Sequence, residues 1–262
     1  MSSLRNKIYG NLNLLGIDVP KMRMFIKGLS LYLADKKELT KQKGNDTHFP
    51  FGSNRPIFED RFAESGLASG HYFHQDMLVA RKIYENKPIR HVDIGSRTDG
   101  FIAHVAIFRE IEMFDIREQK SNVKNILFKK ADLMQLPDNM YNYCDSISAL
   151  HSIEHFGLGR YGDPIDYSGH EKALQNISKI LTVGGVFYFS VPIGPQRINF
   201  NAHRVFSVKY LIELLKNNFE IKTFSFVNDF GDLFEDVKMT HEEIERNFGC
   251  NYGCGIFELV KK

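Results

Sequence analysis

From residue 89 onward the hydrophobic positions fall into short alternating or continuous runs: IRHVDIG (89–95), IEMFDI (111–116), ILFKKA (126–131), CDSISAL (144–150), VFYFSVP (186–192), FEIKTFSFV (219–227) and GIFELVKK (255–262). Runs of this length, rich in Val, Ile and Phe and bounded by turn residues, predict seven strands. Between several of them the apolar spacing lengthens to a helical period. Leu174, Ile177, Ile180 and Leu181 share one face, and the pattern stops at Gly184 and Gly185, where a helix C-terminus is expected. Leu211, Leu214 and Leu215 form a second stripe behind Ser207, a suitable N-cap. Upstream, GHYFHQDMLVARKIYENKP predicts a helix running into the first strand, with Leu78, Val79 and Ile83 toward the sheet and Tyr72 and Gln75 toward the mouth of any ligand site.

Strands alternating with helices predict an α/β fold, a largely parallel sheet with helices on both faces. Residues 36–56, KKELTKQKGNDTHFPFGSNRP, are polar and punctuated by Gly44, Pro50, Gly52 and Pro56, and read as a loop or lid. Residues 1–68 lack the strand–helix alternation. They are expected to form an N-terminal extension or lid over the ligand site, with the main domain at 69–262.

Composition narrows the picture only a little. A chain of 262 residues, 43% hydrophobic, can bury one large core. A net charge of +2 gives no field that argues for nucleic acid or an anionic membrane. Three cysteines, Cys144, Cys250 and Cys254, are too few for a disulfide framework and point to a reducing compartment, the cytoplasm. The spacing of Cys250 and Cys254 beside the last strand, without other clustered ligands, reads as structural. The N-terminal apolar run is broken by Asn13, Gly16 and Asp18, so neither a signal peptide nor a membrane span is expected.

Ligands in open α/β sheets collect at the C-terminal ends of the strands, so candidate chemistry is sought there. The first strand ends in HVDIGSRTDG, where Gly95, Arg97 and Gly100 stand at the three glycine positions of a dinucleotide fingerprint. An arginine in the middle obstructs the approach of a pyrophosphate, which weakens a dinucleotide reading. Asp115 closes the second strand about 20 residues later, where a carboxylate can accept hydrogen bonds from both ribose hydroxyls, or else simply cap the following turn. Asp132, after the third strand, can meet the exocyclic amine of an adenine, or be an ordinary loop aspartate.

HSIEH (151–155) matches the HxxEH pattern of inverted zinc proteases. In those enzymes the motif lies within a helix, one turn separating the two histidines. Here it follows an alternating strand and runs into FGLGRYGDP, whose Gly and Pro are loop chemistry, so the peptidase context is missing. A metal-dependent hydrolase and a noncatalytic nucleotide-binding module remain as alternatives of a different class.

Taken in order, VDIGSRTDG, FDIR, ADLMQLP, CDSISALHSIEHF and LTVGGVFYFSVP resemble the motif series of class I S-adenosylmethionine-dependent methyltransferases over residues 89–262. HVDIGSRTDGF with the upstream GHYFHQD is similar to an uncharacterised bacterial subgroup associated with surface-polysaccharide biosynthesis. The resemblance implies a Rossmann-like fold: a seven-stranded, mostly parallel sheet with an antiparallel last strand. It also implies S-adenosylmethionine held by Tyr72, Gln75, Asp93, Gly95, Ser96, Arg97, Gly100, Asp115, Ile116, Asp132, Leu133 and Leu150. The family usually has further glycines where Ser96 and Arg97 stand. In ubiquinone-pathway O-methyltransferases and small-RNA 2'-O-methyltransferases the segment after the fourth strand reads ExxEH and coordinates a divalent metal. By that likeness His151, Glu154, His155 and the later His203 form a candidate set for Zn²⁺, Fe²⁺ or Mn²⁺.

The expected reaction is methylation of a hydroxyl on a small polar acceptor, a saccharide or nucleotide-linked saccharide. His151 or His155 acts as base, or a metal activates the alcohol, with Glu154 in the same catalytic group. Arg160, Arg197 and Arg204 are placed to hold a phosphate or carboxylate on that acceptor, or to lie solvated at the rim.

Overall fold

The computed structural model describes residues 12, 15–63, 65–120, 122–136 and 138–262. The broken apolar run at the N-terminus lies for the most part outside the described residues. Among the described residues no helix is long and apolar enough to cross a membrane. The chain divides into two compact units, Met1–Leu67 and Ala68–Lys262.

The first unit is built on α1 (Val19–Lys43). Asp18 caps it by accepting a hydrogen bond from the Lys21 backbone N–H at 3.0 Å, and Pro20 occupies its first turn, where a missing N–H is harmless. Phe58 packs edge-on against Phe25 and Tyr32 of this helix. The expectation of a loop over 36–56 is therefore corrected: the helix runs on to Lys43, and only the remainder lacks helix or strand. Lys, Glu, Leu and Gln are strong helix formers, and high polarity does not stop a helix that buries little of its surface.

The second unit holds α2 (His71–Asn86), α3 (Ala103–Ala106), α4 (Gly169–Ile180), α5 (Val208–Leu215) and α6 (His241–Glu245). Its strands are β1 (His91–Ile94), β2 (Ile111–Asp115), β3 (Ile126–Lys130), β4 (Cys144–Leu150), β5 (Leu181–Ile193), β6 (Arg197–Asn199), β7 (His203–Val205), β8 (Phe219–Val227), β9 (Leu233–Phe234) and β10 (Gly253–Lys261). The main sheet runs β3-β2-β1-β4-β5-β10-β8-β9, and β6 pairs with β7 apart from it. The first five strands are mutually parallel, and β10 is antiparallel to both of its neighbours, β5 and β8. All seven anticipated strands are present. The sheet gains an eighth, the short β9, whose Leu233 and Phe234 pair with Val227 and Phe226. The architecture is the mostly parallel, Rossmann-like one expected.

Two apolar layers hold it. On one face Leu78, Val79 and Ile83 of α2 join Phe101, Ile102, Val105 and Tyr188. On the other, Leu174, Ile177 and Ile180 of α4 and Leu211 and Leu215 of α5 cover Phe187, Phe189 and Phe257. Phe187 and Phe189 against Tyr188 show the period of two along β5 that sends alternate side chains to opposite layers. Ser207 caps α5 by accepting from the Tyr210 N–H. The helix expected to stop at Gly184 and Gly185 ends earlier, at Ile180, and Leu181 opens β5 instead. Cys144 pairs with Leu181 but Ser146 with Val186, so residues 182–185 loop out of the strand, and Gly184, at φ +76°, serves that bulge and not a helix end.

Candidate functional site

At the carboxyl end of β1 the chain turns sharply, with Gly95 at φ +68°. A Cβ at Gly95 would stand 3.2 Å from the Cβ of Ser152, so β1 and the segment after β4 meet here with no room for a side chain. Asp93, fully buried, fixes this turn. It accepts hydrogen bonds from the Ser96 backbone N–H (2.9 Å), the Ser96 hydroxyl (2.6 Å) and the Ser148 hydroxyl (2.6 Å). The Ser96 oxygen in turn accepts from the Leu150 N–H at 3.1 Å. Burial drives the Asp93 carboxyl up to about 7 despite these donors. Asp93, Ser96 and Leu150 therefore tie the ends of β1 and β4 together.

Beside this knot lies a cavity of about 540 Å³, counting space open to solvent, whose walls include Gly95, Asp115, Ile116, Asp132, Leu133 and His155. Six residues from three strand ends and from the segment after β4 thus meet around one space. Asp115 is buried, and its carboxylate is gripped by Arg117, backbone N–H to Oδ1 at 2.8 Å and guanidinium to both oxygens. In this state it caps the turn after β2. Asp132 likewise accepts from the Met134 N–H at 2.9 Å.

Arg97 is exposed, pairs with Asp99 and lies over the Tyr72 ring, so its side chain leaves the turn. Gly100 approaches Asp76, where an added Cβ would come 2.6 Å from a carboxylate oxygen. Burial raises Asp76 to about 6, against the hydrogen bond donated by Gln75. Gln75 is buried and accepts from the Ser190 hydroxyl at 2.6 Å. A second cavity shares Gly95, Asp115, His155 and Tyr161 with the first and adds Tyr72, Ser96, Arg97, His151 and Arg160.

HSIEH leaves β4 through His151 at φ +49° and then forms a single 3₁₀ turn, Ile153–His155. The two histidines are not stacked one turn apart on an α-helix, which is the geometry a zinc protease requires. His151 Nδ1 lies 2.8 Å from Glu154 Oε1, and His155 Nε2 lies 3.7 Å from the same oxygen. Among the described residues, His151 Nε2 and Glu154 Oε2 are buried without a hydrogen-bond partner. Burial disfavours a charged His151, but the neighbouring Cys254 and Glu154 outweigh it and hold its pKa well above the usual imidazole value. Burial also opposes the charged form of Glu154, yet His151 beside it keeps this carboxyl below its ordinary range.

His155 is bonded through Nδ1 to the Ala202 carbonyl at 2.7 Å, and burial depresses its pKa. The Nδ1–H donates there, which leaves Nε2 as the basic nitrogen. His203 is turned toward Asn199, 3.2 Å away, and packs on Tyr252.

Among the described residues, the metal-ligating atoms that lie within 4.8 Å of one another belong to His71, His151 and Cys254. Glu154, His155 and His203 do not complete such a group with His151.

The three arginines part ways. Arg160 lines the second cavity and donates to the Ala202 carbonyl at 2.9 Å. Arg204 is buried and spent on the Phe156 and Tyr167 carbonyls, and Arg197 donates to Pro195 and Asn251. The Arg204 guanidinium is turned to carbonyls in the core and lines neither cavity, so the role anticipated for Arg204 is withdrawn. The sequence reading passed over Arg117 and Tyr161, and over His71 and Cys254 as partners of His151. His71 stood in plain view within GHYFHQD, but nothing local connects it to a residue 80 positions further along the chain.

A family model described as "Caenorhabditis protein of unknown function, DUF268" matches residues 93–248. No curated protein matches. Three solved structures are similar in fold, each with a TM-score of 0.50. The [4+2]-cyclase SpnF is 16% identical, over 72% of this chain and 80% of its own. The N-methyltransferase NodS from Bradyrhizobium japonicum WM9 is 11% identical, over 74% and 99%. YcgJ from Bacillus subtilis is 14% identical, over 72% and 98%. At these identities the likeness is one of fold.

Proposed function

The chain belongs to the family described as "Caenorhabditis protein of unknown function, DUF268", whose description carries no activity, and from its site we propose an S-adenosylmethionine-dependent methyltransferase acting on a hydroxyl of a small polar acceptor. The observation that carries this reading is the single cavity where Gly95, Asp115, Ile116, Asp132 and Leu133 meet. A Cβ-free turn, two carboxylates at successive strand ends and apolar walls between them suit a nucleoside: ribose on Asp115, adenine between Ile116 and Leu133 with its amine toward Asp132. Bound there, the cofactor supplies an electrophilic methyl carbon on a sulfonium.

The chain's own residues do the rest. His155, neutral at pH 7 and with Nε2 free to accept, takes the proton of the acceptor hydroxyl as the new oxygen–carbon bond forms and the carbon–sulfur bond breaks. His151 and Glu154 form a buried pair behind it. Tyr72, Tyr161 and Arg160 offer the ring faces and the donor that hold a polyhydroxylated acceptor in line with the methyl group, and positioning of this kind supplies much of the rate. A saccharide or nucleotide-linked saccharide, as in surface-polysaccharide biosynthesis, is the acceptor class that suits such a lining.

The deciding experiment is calorimetric titration of the full chain with S-adenosylmethionine and S-adenosylhomocysteine. A saturable heat for both supports the reading. Its absence for both ends it.

A further inference from the structure

Three elements distant in sequence bring their ends together on the far side of HSIEH. His71 is the first residue of α2, His151 follows β4, and Cys254 is the second residue of β10. The sheet register brings two of the three, His151 and Cys254, side by side. Leu150 pairs with Ser190 and Cys254 with Pro192, so β5 sets β4 and β10 on either side with their ends level. The His151 backbone N–H donates to the Ser190 carbonyl at 3.0 Å, which pins that residue at the sheet's edge. The His71 ring lies parallel to His151, centroids 5.2 Å apart and planes within 5°.

We propose that His71, His151 and Cys254 form a mononuclear site for a borderline-soft divalent cation, Zn²⁺ foremost, with Glu154 as the carboxylate behind His151. The ligand atoms of the three lie within 4.8 Å of one another. A second observation points the same way. The His151 side chain is only 4% exposed, its Nδ1 is taken by Glu154 at 2.8 Å, and its Nε2 is buried and has no hydrogen-bond partner among the described residues. A buried nitrogen left without a partner calls for an explanation, and a cation supplies one. A carboxylate that accepts the Nδ1–H of a histidine is also the arrangement that orients zinc-ligating imidazoles and makes them more basic.

The donor set selects the ion. One thiolate and two imidazoles are poor ligands for Mg²⁺ or Ca²⁺, which prefer oxygen, and good ones for Zn²⁺. Cys254 is fully buried, and its Sγ reaches Gln75 Oε1 at 3.7 Å and the Gly255 carbonyl at 3.9 Å. On binding, the thiol gives its proton to solvent and the sulfur turns to the ion, while Gln75 keeps the Ser190 hydroxyl. Three protein ligands leave a fourth position for an exchangeable group, as in catalytic zinc sites. Tyr72 and Tyr252, both partly exposed, flank the cluster. Binding of the ion stands apart from the methyl-transfer reading; only its use, to present an acceptor hydroxyl, rests on that reading.

The test uses the full, untagged chain, stripped with a chelator and titrated with Co²⁺. The expected result is saturation at one ion per chain with a near-ultraviolet thiolate-to-cobalt charge-transfer band, displaced by Zn²⁺ and untouched by Mg²⁺. Cys254→Ser should lose that band, and Glu154→Gln should weaken Zn²⁺ by about 10–100-fold. Cys254 is in the core and its variant can fail to fold, so His71→Ala, in the first turn of a helix, carries the test by itself: a native far-ultraviolet dichroism spectrum without the band. Wild type that shows no band at saturating Co²⁺, or a folded His71→Ala with unchanged band and affinity, overturns the site. Calorimetry with S-adenosylhomocysteine on the same stripped sample reads the proposed function separately, so loss of one conclusion is not mistaken for loss of the other.

Discussion

Arg117 closes on Asp115 with two guanidinium bonds, Nε to Oδ1 at 3.0 Å and Nη2 to Oδ2 at 2.7 Å. The carboxylate proposed to hold a ribose is thus already occupied by a neighbour two residues away. That neighbour is half-exposed and lies over Tyr161, so it can swing out into water without unpacking the core.

Asp115→Ala should therefore weaken S-adenosylhomocysteine binding by about 1.5–3 kcal/mol, the range for hydrogen bonds to a charged group. Arg117→Ala should leave the affinity equal or tighter, because the ribose no longer competes with a guanidinium. Calorimetry on both variants checks this, and an Asp115→Ala variant that binds like wild type would remove Asp115 from the ribose site.

The pH profile follows from His155. Burial depresses its pKa, so the neutral base already dominates at about pH 6.5, the ordinary imidazole midpoint. The turnover rate should be flat through neutrality and fall only in more acidic solution, as the imidazole takes up a proton. His155→Gln should lose about 10²–10⁴-fold in rate and show no such acid limb. A midpoint above the ordinary value would point to a different base.

Stability should respond to Asp93 with the opposite slope to a paired surface carboxylate. Its folded pKa is raised to about 7, so the native state binds more protons than the unfolded chain between the usual carboxyl value, about 3.9, and 7. Across that window stability declines as pH rises, and it is greatest at the acid side. Asp93→Asn keeps the shape, removes the titration and should flatten this contribution in thermal melts recorded at several pH values. An unchanged slope in the variant would refute the assignment.

Gly157 offers a purely steric test. It sits at φ +76° just after His155, and a Cβ there would fall 2.0 Å from the Asp166 carbonyl oxygen. Gly157→Ala cannot be accommodated without moving the loop that carries Arg160 and Tyr161. A destabilisation of about 1–3 kcal/mol is expected from the backbone conformation alone, more with the clash. Denaturant melts would measure it, and a neutral result would mean the loop relaxes freely.

The sheet was largely legible because strands buried on one or both faces write their burial into the sequence, as Phe187, Tyr188 and Phe189 do. The end of α4 was misread for a definite reason. A glycine after an apolar stripe has the same local signature whether it ends a helix or serves a bulge, and only the pairing of Cys144 with Leu181 distinguishes the two. The helical stretch up to Lys43 was missed because its polarity carries no period. The cavity residues Gly95, Asp115 and Asp132 could be found since each stands at or just beyond the end of its own strand. The meeting of His71, His151 and Cys254 could not, since it exists only through the register of β4, β5 and β10 and the packing of α2 on the sheet.

The place of β10 has a further meaning for the life of this molecule. The strand lies between β5 and β8, paired along most of its length with both, so it is the seam that joins the parallel half of the sheet to the rest. Were it peeled away, two long rows of unpaired amides and carbonyls would open at once, one of them on the Phe-rich β5. Exposed edges of that kind recruit strands from other molecules. Partial unfolding from this seam would lead to self-association and precipitation.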